Sequence, residues 1–220
     1  MKNEERSMLY QKRILGTLCI LLAPLCLIFG LFGLSTNLHG WYLSISATYY
    51  ANSKMFMIGL LFAISVFFFS YQCYDWKDRI VTLFEAICAI GIVMFPCKSD
   101  DIPNLVGLFN IPFGISHVFH CTFATVLFVL FGFQITFLFT KSDGNPTKEK
   151  LIRNKIYRIC GIVIFVFCIV QMITSIFVFI PSYIPTTWIN EFVMLIAYGV
   201  AYLIKSESIA KLNDKILSEV

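Results

Sequence analysis

Charge is scarce in this sequence: Asp, Glu, Lys and Arg make up 14% of its 220 residues. Soluble globular chains carry about a quarter, so an ordinary water-soluble domain is excluded. The eight cysteines include no paired CxxC spacing, and Cys19, Cys26, Cys88, Cys160 and Cys168 lie in apolar stretches, where a free Cys acts as a small hydrophobe. Only Cys97 and Cys121 fall near one surface, and their spacing does not support a disulfide. No glycine-rich phosphate loop is present; Gly30, Gly33, Gly59, Gly91 and Gly199 suit close helix packing instead. Ser116 is not in a GxSxG elbow, because Val118 stands where the second glycine belongs. Pro146 bars glycosylation at Asn145. Runs such as IGLLFAISVFFFSY do not alternate in polarity, which excludes a transmembrane barrel.

What is present is apolar surface: 58% hydrophobic and 16% aromatic residues, in runs near the roughly 20 residues that a helix needs to cross a bilayer. The pattern predicts an all-α polytopic membrane protein, one transmembrane domain over 1–220, with six spans at about 14–34, 55–74, 80–95, 115–140, 159–180 and 187–204. The segment KSDGNPTKEKLIRNKIYR, 141–158, holds six Lys or Arg, and cationic loops stay in the cytoplasm. With six spans, fifteen of the seventeen Lys and Arg share that side with both termini, and only Lys54 and Lys98 lie opposite. The net charge of +4 is explained by this topology, and nucleic acid is not an expected partner. The uncharged segment 35–53, rich in Trp and Tyr, reads as an outer interfacial loop with room for a short helix; Pro103 and Pro112 break the second outer loop.

Sorted by side, the unusual polar residues gather at the outer face: His39, His117 and His120, Asp100 and Asp101, Ser44, Ser46 and Tyr49, and Glu191 near the outer end of the sixth span. His117 and His120 share a helix face. With a carboxylate and a third His they form a ligand set acceptable to zinc, although HxxH lacks the carboxylate base of HExxH and such histidines can equally bond backbone, water or headgroups. Glu85 lies deeper, one to two turns from the cytoplasmic end of the third span. An ionisable residue there needs a partner, a cavity or a proton. The phenylalanines of LFVLFGFQITFLF read as lipid-facing or packing residues, and no cofactor follows from them.

The motifs LSISATYY, SYQCYDWKD and FPC, His120 followed by Ala124 and Phe128, and WINEFVMLIAYGVAYLIK resemble a family of bacterial six-span membrane proteins described only by a domain of unknown function. The resemblance runs from about Trp41 to Lys205 and implies a six-helix fold in the bacterial inner membrane. A more distant likeness is to the membrane hydrolases that include alkaline ceramidases and the progestin and adipoQ receptors. It implies zinc held by His39, His117 and His120, with a Ser such as Ser44 or Ser46 and Asp100 or Asp101 as base. This chain departs from that pattern in having six spans, HxxH rather than HxxxH, and His39 outside any helix.

Three readings follow. The first is a protein that binds a lipid, a small hydrophobic molecule, or a partner membrane protein or second copy in an outer pocket lined by Ser44, Ser46, Tyr49, Glu85 and Glu191. The second is a zinc-dependent lipid hydrolase at that pocket, with metal-bound water as nucleophile. The third is a small permease using Glu85 and Glu191 as proton-linked groups.

Overall fold

The computed structural model describes residues 2–32, 42–71, 75–98, 105–142, 144–176, 184–209 and 212–213. Among them are six α-helices: α1 (Lys2–Leu31), α2 (Lys54–Ser70), α3 (Trp76–Met94), α4 (Phe113–Phe133), α5 (Lys148–Ile176) and α6 (Thr186–Lys205). A 3-10 helix covers Ser46–Tyr50, and a π-helical turn, Gln134–Leu138, continues α4. Two short antiparallel strands, β1 (Leu105–Val106) and β2 (Ile111–Pro112), form a hairpin between α3 and α4.

Helices α3 and α5 begin where side chains cap them, ahead of the point where hydropathy rises. Asp75 accepts a bond from the Asp78 amide at 2.8 Å, so α3 starts at Trp76, inside the polar turn placed before residue 80. Thr147 Oγ accepts from the Lys150 amide at 3.0 Å, and α5 starts at Lys148, well before residue 159. The basic segment is therefore largely helix, with Arg153, Tyr157, Cys160 and Ile164 buried along one face. Likewise α1 begins at Lys2, so its charged lead-in is helical. The expected span ends at 33–34, 72–74 and 177–180 lie outside the described residues.

Four stretches are long and apolar enough to cross a membrane: Arg6–Leu31, Phe113–Leu138, Lys148–Ser175 and Thr186–Lys205. Helix α2 is apolar but only 17 residues long, and α3 carries Lys77, Asp78, Arg79 and Glu85. Exposed Ile159, Ile162, Val166, Ile169 and Ile173 make an apolar stripe along α5 at helical spacing. An exterior of that kind is compatible with a membrane location and unlike the patches of soluble monomers.

Each helix packs on its neighbours in sequence, and α6 returns to pack on α1, so the six close into a ring. Neighbours run antiparallel. Phe29 of α1 stacks on Phe56 of α2, Ser65 of α2 bonds the Ala86 carbonyl of α3, and His120 and Gln134 of the α4 segment meet Phe95 and Glu85. In turn, Asn154 of α5 reaches the Thr140 carbonyl, and Gln171 bonds Asn190 of α6. Aromatic rings fill the interior. Phe131 stacks on Tyr198 with centroids 3.6 Å apart, and the column continues through Tyr202, Phe139 and Tyr157.

Ring closure requires α1 and α6 to approach at their backbones. A Cβ on Gly16 would stand 2.8 Å from the Gly199 carbonyl oxygen, and one on Gly199 would stand 2.7 Å from that of Gly16. Small residues allow this approach between helices in lipid. Gly199→Leu is expected to lower bundle stability by about 1–3 kcal/mol through overpacking. Gly59→Ala, where a Cβ meets nothing within 4 Å, should leave it unchanged. Thermal unfolding in mild detergent measures both.

Candidate functional site

Inside the ring, four polar side chains from three elements meet. Glu85 is fully buried on α3, and its Oε2 accepts from Gln134 Nε2 at 3.2 Å. Gln134 Oε1 in turn accepts from the hydroxyls of Tyr198 at 2.7 Å and Tyr202 at 3.1 Å, both on α6. Gln134 is the first residue of the π-helical turn, a local widening of the helix that recurs at functional sites. Glu85 Oε1 is buried and has no hydrogen-bond partner among the described residues. Every donor around the carboxyl is neutral: an amide and two phenols. An ionised carboxylate in so apolar an interior would carry a large desolvation cost, so the neutral acid is the favoured form. Chemically, this cluster can hold a proton and exchange it.

The outer end was expected to form a pocket, and the structure does join most of its described members in one network. Glu191, half-buried on α6, accepts from the Ile45 amide at 2.7 Å at the start of the 3-10 helix. The Trp188 amide donates to the Leu43 carbonyl at 3.0 Å, and Ser44 Oγ accepts from the Ala47 amide. Tyr50 reaches across to the Cys97 carbonyl at 2.7 Å. Ser46 is buried, and Tyr49 packs against Tyr50 with Lys54 over its ring at 4.3 Å.

The two histidines dock α4 onto the end of α3. Ser116 donates to the Pro96 carbonyl, His117 Nδ1 accepts from the Lys98 amide at 3.1 Å, and His120 Nδ1 donates to the Phe95 carbonyl at 2.8 Å. Backbone groups of Phe95, Pro96 and Lys98, just past the end of α3, are thereby satisfied, which is the backbone-bonding alternative for HxxH. Among the described residues no group of three His, Cys, Asp or Glu could hold a metal ion. His39, Asp100 and Asp101 lie outside the described residues. Cys97 and Cys121 are free thiols.

Glu85 is not part of the outer network. It lies toward the start of α3, two turns along that helix from a second polar cluster in which Lys141 Nζ stands 2.7 Å from Asp75 Oδ2 and 3.6 Å from Asp78 Oδ1. The hydrogen bond from Lys141, with that from the Asp78 amide, holds the Asp75 carboxyl below the ordinary carboxylate range.

Sequence reasoning singled out Glu85 but missed Gln134, Tyr198 and Tyr202. Two signals were available: Gln134 is a lone amide in an apolar run, and two tyrosines four apart share a helix face. No protein-family model, no curated protein and no solved structure matches this chain.

Two outcomes test these contacts. Glu191→Ala leaves the Ile45 amide without its acceptor, at a cost of about 1–3 kcal/mol, so hydrogen exchange should quicken across 45–50. Glu191→Gln, which keeps an acceptor oxygen, should restore much of the protection. Because Asp75 is depressed when folded, its bridge and cap stabilise the start of α3 above the ordinary carboxylate range and are lost as pH falls through the lowered value. Exchange at the Asp78 amide should accelerate in that acid window, and Lys141→Ala should move the window to higher pH.

Proposed function

We propose that this chain is a six-span membrane protein with both termini in the cytoplasm, of the bacterial inner-membrane type that its motifs resemble, and that it is a small proton-linked permease. Glu85 is its proton-carrying group. The observation that carries this reading is the buried, half-partnered carboxyl at the ring's centre, bonded by the Gln134 amide, which two phenols bond in turn. Intramembrane carboxyls of this kind are costly and face interior pathways. The outer end supports binding or hydrolysis less well, because His117, His120, Ser44 and Glu191 there already serve backbone groups.

The test is solid-supported membrane recording on protein reconstituted into phosphatidylethanolamine–phosphatidylglycerol vesicles. A panel of amino acids, sugars and small carboxylates is applied under an inward proton gradient. At least one solute class should give a gradient-driven current that Glu85→Gln abolishes. Identical traces from wild type and Glu85→Gln across the panel would remove the reading.

A second reading keeps the outer end as a binding site for a lipid or small hydrophobic molecule. It is favoured by Trp188 Nε1 and Ser53 Oγ, both buried without a hydrogen-bond partner among the described residues. Bound lipid that survives purification and is lost in Trp188→Phe, detected by native mass spectrometry, would favour it over transport.

A further inference from the structure

Helix α3 also carries Lys77 and Arg79, but its carboxyl and hydroxyl groups fall into one row with the capping Asp75. Asp75, Asp78, Thr82 and Glu85 recur at intervals of three, four and three, which places them on one face. Asp75 is part-exposed at the cytoplasmic end, while Thr82 and Glu85 are fully buried. Asp78 lies between, with an Oδ1 that is shut off from solvent and lacks a hydrogen-bond partner among the described residues. The face therefore runs from water to the centre of the ring, and Asp78 stands about 10 Å from Glu85 along the axis at 1.5 Å per residue. The opposing segment supplies a matching pair: Gln134 bonds Glu85, and Lys141 spans Asp75 and Asp78.

From this alignment we infer that the α3 face is the route by which Glu85 exchanges its proton with the cytoplasm, with Asp78 as the intermediate acceptor. The inference rests on the proton-linked reading of Glu85. A hydronium ion at the surface protonates the Asp78 carboxylate and leaves water. Asp78 then passes a proton through water to the Glu85 carboxylate, relayed when the Thr82 hydroxyl turns from the Asp78 and Arg79 carbonyls on which it rests at 3.1 and 3.0 Å, and Asp78 is itself left ionised beside Lys141. Release runs the same steps backwards. Lys141 favours the ionised form of Asp78 and so returns it to the accepting state after each transfer.

The groups around the route agree with these roles. Near Glu85 stand Cys19 of α1, Cys88 of α3, Gln134, and Tyr198 and Tyr202 of α6; from α2, Ser65 is spent on the Ala86 carbonyl, and Tyr71 packs on Tyr202. None of these carries positive charge that would trap Glu85 in the ionised form. The charges that act on Asp78 are Lys141, Asp75 and Lys205, and burial raises its carboxyl above the ordinary value. Lys150 and Arg153 of α5 act on Lys205 rather than on either carboxyl.

Infrared spectroscopy of the full chain in lipid tests this. At neutral pH a protonated-carboxyl stretch is expected that Glu85→Gln removes, and on transfer to deuterated buffer that band should shift with a measurable rate. Asp78→Asn should slow the shift by at least about tenfold, the low end of what a positioned proton carrier contributes being well above that. Asp78→Glu should restore most of the rate. Thr82→Val should also slow it, which keeps the test open if Asp78→Asn does not fold. An unchanged rate in Asp78→Asn and Thr82→Val, with the band present, would overturn the route alone. Absence of the band from the wild type would overturn the proton-linked reading and the route with it.

Discussion

The close approach of Gly16 and Gly199 is the constraint on which the rest of this structure depends. In hydrocarbon no water competes for helix surfaces, so helices associate through packing and through polar groups that have no other solvent. The α1–α6 contact turns a row of sequential antiparallel helices into a ring, and a ring has an inside. Only there can Glu85, Gln134, Tyr198 and Tyr202 be withdrawn from the apolar exterior together. The same closure directs Phe131 and Tyr198 into face-to-face contact and leaves the isoleucine stripe of α5 outside.

The polar chemistry divides by depth. At the outer end, carboxylate, imidazole and hydroxyl groups are committed to backbone amides and carbonyls, and they fix the segment Leu43–Tyr50 and the junction of α3 with α4. At the centre, the groups bond one another and leave one carboxyl oxygen without a partner. Buried networks left partly satisfied are unfavourable in a static core. Groups that serve only to hold a fold are expected to resemble the outer set; a group that works is expected to resemble the central one.

Much of this architecture was legible in the sequence. Apolar runs predicted all six helices, and Glu85 stood out because a carboxyl in such a run has few uses. The helix starts were less legible, since hydropathy marks where lipid begins and Asp75 and Thr147 mark where hydrogen bonding begins. Arg153 and Tyr157 sit in a segment that reads as a basic loop, yet their inward spacing is helical. The metal reading of His117 and His120 drew on residue type, helical spacing and their shared side, whereas their engagement with Phe95 and Lys98 depends on a tertiary contact that no local pattern encodes. Gln134 was hidden for a different reason. Its partner lies 49 positions away, and the π-helical turn that it opens has no sequence signature.

The ring also imposes an order on biogenesis. Chains are made from the N-terminus, and the helix that α1 must meet is the last of the six described to emerge. Until α6 arrives, α1 has only α2 beside it, and Glu85 has only the amide of Gln134, without the two phenols behind it. Five helices must therefore wait as an open arc with an acidic group at its mouth. Closure of the ring and completion of the central cluster are one event, brought about by α6.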